Sequence, residues 1–229
     1  MKQNISTIIE HADALYAGRE QIEMVRASVR QLESVATADD DFEISWRMGR
    51  ALFFLGQEEE RRDEAPALHA RGVEACARAA RLESRRVEGH FWLGVNRALQ
   101  AQAANSLAAL PLAWRAKRSL ERAACINPAY HAAGPLRVLA RLAHKLPRLV
   151  GGGYARARAE FARAIEIAPA NTVTRLYFAE MLLDAGEVAS ARRELETLLS
   201  APLDADWEFE TKRDRSRARE MLEKMRSST

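Results

Sequence analysis

The feature that most narrows what this chain can fold into is a spacing that recurs four times. Gly72, Cys76, Ala79 and Ser84 stand four, three and five residues apart. Ala116, Leu120, Ala123 and Pro128 repeat those steps, and Ala157, Phe161, Ala164 and Pro169 repeat them again. Ala191, Leu195 and Leu198 follow, with Pro202 one residue early. Steps of three and four put such residues on one helix face. The small residue lets a neighbouring helix approach, the larger one fills the hole opposite, and proline ends the segment. A matching half precedes three of the four sets, at Met48-Gly49 with Leu52, Leu93-Gly94 with Arg97, and Phe178-Ala179 with Leu182. A single match could arise by chance. Four in series specify antiparallel helix pairs stacked on one another.

The spacing is that of the tetratricopeptide repeat, whose units bury a core only against their neighbours. The expected fold class is therefore all-α: a tetratricopeptide-like α-solenoid of about five helix pairs plus a C-terminal capping helix. The pairs fall near 4–36, 40–84, 86–128, 133–169 and 171–202, and the capping helix near 206–226, within a single helical-repeat domain over 1–229. Trp207, Phe209, Met221, Leu222 and Met225 give that last helix an apolar face; Lys212, Arg213, Arg215, Arg217 and Arg219 give it a solvated one. A composition of 48% hydrophobic but only 7% aromatic residues suits closely packed helices.

Departures from the regular period mark where the array is enlarged. Ala179 and Ala191 lie an uninterrupted repeat apart. Gly94 to Ala116 and Gly49 to Gly72 are each about ten residues longer than the regular period allows. The added residues fall between the two helices of a pair, so Gln100–Pro111 and Lys145–Gly153 are expected as loops on one edge. In the second, Pro147 stops a helix and Gly151, Gly152 and Gly153 permit conformations other residues avoid. Leu146, Leu149 and Val150 should dock that loop back onto its helices. Thr37–Asp41 reads as a turn whose acids suit the next helix N-terminus, and Glu58–Glu64 as a solvated connection.

Catalytic chemistry finds little footing. His11, His69, His90, His131 and His144 are scattered without a metal-binding spacing. His90 holds a packing position of the repeat. Cys76 and Cys125 read as buried spacers, too few for a disulfide framework and in keeping with a reducing compartment. Gly151–Gly153 precedes a helix, yet no Lys-Ser/Thr follows it as in a phosphate-binding loop. The chain is expected to be non-enzymatic, with no cofactor and no metal. A net charge of +3 gives nucleic-acid binding little electrostatic support. The recurring Arg115, Arg118, Arg122, Arg156, Arg158 and Arg163 are expected in surface ion pairs with Glu121, Glu160 and Glu166.

A more specific likeness lies in His144-Lys145-Leu146-Pro147-Arg148-Leu149-Val150-Gly151-Gly152, in Phe161 to Pro169, and in Thr174 to Glu180. Together with Gly89-His90-Phe91-Trp92-Leu93-Gly94 and Pro202–Arg213, these stretches resemble the T-component family of TRAP transporters, over roughly residues 40–226. The resemblance implies an all-helical protein that acts by binding, works beside a substrate-binding protein in ion-driven uptake, and forms homo-oligomers.

The leading expectation is a scaffold that binds a partner protein or peptide. The alternatives are a transport-accessory protein that holds a small organic anion or a substrate-binding protein, and, further off, an RNA-binding helical repeat. Arg137, Arg141, His144, Lys145, Arg148 and Tyr154 are the candidate contacts. No run of residues is long enough for a membrane span. The N-terminal stretch as written carries no export signal or lipid-acceptor cysteine, which points to the cytoplasm; the resembled family implies the periplasm instead.

Overall fold

The computed structural model of the chain describes residues 2–35, 41–57, 63–104, 106–148 and 151–227, and the regular elements among them are all helical. They fall into two compact units, Met1–Asn127 and Pro128–Thr229. The first holds α1 (Lys2–Ala17), α2 (Ile22–Glu33), α3 (Phe42–Leu55), α4 (Ala65–Leu82), α5 (Val87–Ala103) and α6 (Ser106–Ile126). The second holds α7 (Tyr130–Lys145), α8 (Tyr154–Ile167), α9 (Thr172–Asp184), α10 (Val188–Ser200) and α11 (Glu208–Ser227). The fold is the all-α, tetratricopeptide-like array that the recurring spacing specifies.

In the first unit each helix packs on the next, and α3 also reaches α5. Val25, Val29 and Leu32 of α2 meet Ile44, Met48, Leu52 and Leu55 of α3 in one buried cluster. Asp41 starts α3 by accepting hydrogen bonds from the N–H groups of Glu43 and Ile44, at 2.7 and 3.1 Å, which satisfies donors a helix leaves open at its start. The repeat's small-against-large rule appears as direct contact. A Cβ added to Gly49 would lie 1.9 Å from Cys76 Sγ, and one added to Gly94 would lie 2.6 Å from Leu120 Cγ. Cys76 and Leu120 thus fill the place that Phe161 fills later in the chain.

In the second unit α7 pairs with α8 and α9 with α10, while α11 lies against both α9 and α10. Phe161 and Phe178 stack with ring centroids 5.4 Å apart. Leu176, Ala179, Leu195 and Leu198 are covered by Ala218 and Leu222 of α11, with Met221 and Met225 packed alongside. This is the capping arrangement expected of the final helix. Trp207, in a short 3-10 turn over Ala205–Trp207, packs instead on His131, 4.7 Å between rings.

The start of α7 departs from regular helix: His131, Ala132 and Ala133 all have positive φ, between 51° and 58°. Pro135 explains the place of this break, because a proline ring clashes with the carbonyl four residues before it, here that of His131. Arg137 stabilises the diverted chain. Its Nη1 donates to the Ala132 carbonyl at 2.8 Å and to Asn171 Oδ1 at 3.3 Å, and its Nη2 lies 3.4 Å from the His131 carbonyl.

Two expectations need correction. Gln100–Pro111 is not an edge loop: the extra residues lengthen the two helices, with Gln100–Ala103 ending α5 and Ser106–Pro111 opening α6. The segment is rich in alanine and leucine, which favour helix, and α6 accommodates Pro111 in its second turn. Cys125 is exposed rather than a buried spacer. Glu121 pairs with Lys117, at 3.6 Å. Glu160 does pair with Arg163, at 2.9 Å. Leu149, Val150, most of Thr37–Asp41 and most of Glu58–Glu64 lie outside the described residues.

Candidate functional site

The α7–α8 turn is built by its glycines, each for its own reason. Gly151 and Gly153 have φ of 84° and 113°, in the region other residues avoid. Gly152 has no room for a side chain, since its Cβ would fall 1.9 Å from the Leu146 carbonyl oxygen. The turn then closes on itself. Gly152 N donates to the Pro147 carbonyl at 3.1 Å, and Gly153 N to the Ala143 carbonyl at 2.7 Å.

Five of the six candidate side chains have partners supplied by this unit, and four of the five find theirs on α9. Arg141 Nη2 meets Glu180 Oε2 at 2.7 Å, and its guanidinium lies 4.6 Å from the centre of the Tyr177 ring. One turn further, His144 Nε2 and Lys145 Nζ reach the same Asp184 oxygen, at 2.8 and 3.1 Å. The Tyr154 hydroxyl donates to the Asp184 carbonyl at 3.0 Å, closing the C-terminal end of α9. Arg137 is buried midway along α7, on Asn171 and the left-handed turn. Arg148 is exposed and makes no ion pair among the described residues.

The protonation states follow from these contacts. Arg141 Nη1 lies 3.4 Å from His144 Nδ1 and can only donate to it, so the ring proton belongs on Nε2, facing Asp184. Burial lowers the His144 pKa, and Lys145 and Arg141 lower it further against the pull of Asp184. Burial would raise Asp184, but hydrogen bonds from Lys145 and His144 outweigh it and hold the carboxyl below its usual range. Burial also pulls Arg137 down to about 10. The result is a clasp in which cations of α7 and acids of α9 neutralise one another.

Sequence reasoning missed Glu180 and Asp184, although the signal was present. Arg141 and Lys145 are four apart, and so are Glu180 and Asp184; each pair therefore shares one face of its helix. Asn171 and Trp207 were missed too. Their contacts with Arg137 depend on the break in α7, which no periodicity announces.

The clasp and the turn lie inside a stretch with a family likeness: the model for the TRAP transporter T-component matches residues 48–227. The chain belongs to the TRAP transporter T-component family. No curated protein matches it. Among solved structures, this T-component is similar to a thermophilic TPR protein of Thermus thermophilus, with 18% identity and a TM-score of 0.68 over 91% of this chain and 97% of that one. It is also similar to MamA protein, with 15% identity and a TM-score of 0.56 over 88% and 93% of the two chains. At such identities the likeness concerns the fold. Among the described residues no group of three or more His, Cys, Asp or Glu side chains could hold a metal, and no helix is long and apolar enough to cross a membrane.

Proposed function

We propose that this T-component is a non-enzymatic scaffold that docks a protein partner of a transport assembly through the α7–α8 turn. The family match over 48–227 is the observation that carries the reading. The site's geometry supports it. The clasp on Glu180 and Asp184 fixes the turn on rigid helices and leaves Lys145, Arg148 and Tyr154 exposed at its edge. Such a fixed, partly cationic edge suits the acidic surface of another protein, the substrate-binding protein of the transporter being the first partner to test.

A small organic anion held by Arg137, Arg141, Lys145 and Arg148 has less support from the geometry. Arg141 and Lys145 already meet carboxylates at 2.7 and 3.1 Å, and Arg137 is buried on carbonyl oxygens. An anion would have to displace Glu180 and Asp184.

The test is an affinity capture from the native organism with the wild-type chain and with a Lys145→Glu, Arg148→Glu variant. The expected result is a transporter component enriched by the wild type and lost with the variant. Reproducible capture of no transporter component, or equal capture by both chains, would refute the reading. A thermal shift with carboxylates that Arg141→Ala abolishes would favour the small-anion role instead.

A further inference from the structure

The first unit contains a second basic site, distinct in character from the clasp. A cleft of about 370 Å³ opens between α4, α5 and α6, and Arg81, His90, Arg97, Arg118 and Arg122 line it. Its floor is apolar, made by Ala77, Ala80 and Leu93. What sets it apart is the lack of acids. Arg47, Arg141, Arg158 and Arg175 each meet a carboxylate, whereas none of the cleft's guanidiniums makes an ion pair among the described residues. Arg97 donates only to Ser119 Oγ, at 2.9 Å. Arg122 donates to the Ser84 carbonyl at 3.3 Å, and Arg118 lies 4.9 Å from the centre of the Trp114 ring.

We propose that this cleft binds an extended acidic peptide segment of a partner protein. Concentrating like charges without counter-charges is unfavourable, and a carboxylate-bearing ligand relieves it through charge-assisted hydrogen bonds. Arg97 already shows the strain: burial lowers its pKa, and the nearby Arg115 lowers it further. The layout selects the form of ligand. Arg97 sits beside Ser119, while His90 and Arg122 meet at the Ser84 carbonyl. His90 and Arg97, one at each focus, stand two turns apart on α5, about 10 Å along its axis. A peptide in the polyproline II conformation advances about 3.1 Å per residue with three residues per turn, so acidic side chains three positions apart share one face and reach both. A small dicarboxylate is too short to bridge them. The floor of Ala77, Ala80 and Leu93 suits aliphatic stems; it lacks the stacking platform that single-stranded RNA requires.

The experiment is fluorescence anisotropy with the whole chain and a short fluorescein-labelled peptide carrying Glu at every third position. The same peptide with Gln at those positions serves as control. The Glu peptide binds, its affinity falls as salt rises, and Arg118→Glu, Arg122→Glu weakens it at least about tenfold. The second variant, Arg81→Glu, Arg97→Gln, does the same if the first loses helical circular dichroism. Arg219→Glu, at an exposed position of α11 outside both sites, leaves binding unchanged; the assay reads the cleft alone, so its outcome is separate from any failure of the α7–α8 turn as a partner contact. Equal binding of the Gln peptide, or indifference to both cleft variants, overturns the proposal. So does displacement by succinate at the peptide's own affinity, or tighter, variant-sensitive binding of a labelled oligouridylate.

Discussion

Cys76 shows what a single position in a repeat must satisfy. It is wholly buried, its thiol pushed well above the usual range by burial, and it fills the space that Gly49 leaves open on α3. A methyl group on Gly49 has nowhere to go, since the Gly72 carbonyl stands 3.2 Å from the same point. Gly49→Ala is therefore expected to lower stability by about 1–3 kcal/mol. Adding Cys76→Ala should recover part of that loss, because the two changes share one volume. Denaturant melts of the single and double variants measure the coupling; strictly additive losses would refute the contact. Spacing alone made this pair legible. The expectation of a buried spacer fails for Cys125, which is exposed. Two residues along a helix is more than half a turn, so Cys125 faces away from the side Ala123 buries. Adjacency in sequence is a poor guide to burial; register is a good one.

Between helices, the α7–α8 turn was legible in part. The proline, the three glycines and their place inside one helix pair could be read directly, since each has a local steric meaning. The partners of its cations could not, because they lie on α9 at a distance in sequence that only the fold brings near. The break in α7 was hidden for a similar reason. Pro135 announces an interruption but not the left-handed residues that absorb it, nor Arg137, which holds their carbonyls. Two predictions follow from this geometry. Gly152→Ala drives a methyl into the Leu146 carbonyl and should cost about 1–3 kcal/mol. Tyr154→Phe removes one exposed hydrogen bond to the Asp184 carbonyl and should cost about 0.5–1.5 kcal/mol or less. Thermal melts rank the two, and a harmless Gly152→Ala would contradict the close approach. Arg137→Met leaves the His131 and Ala132 carbonyls without the donor seen here, for a loss of about 1–3 kcal/mol. Unchanged stability there would mean that Arg137 does not support the turn.

Across the whole molecule, the two units share a response to acid. His69 and His90 in the first unit and His144 in the second all have lowered pKa values, with burial the leading cause in each. In the unfolded chain these rings take up protons near the usual value of about 6.5. The folded chain resists until lower pH, so over that window the unfolded state binds more protons. Stability is therefore full above about pH 6.5 and falls as the pH drops through the folded-state values. His69 is the sharpest case, buried beside Asn96, its Nδ1 3.4 Å from the Asn96 oxygen and its ring against Gly56. The melting temperature should thus decline from pH 8 towards pH 5. His69→Gln should start from a lower value at pH 8 and decline less steeply, because glutamine does not titrate. A variant curve that runs parallel to the wild type would show that His69 does not contribute to the acid response.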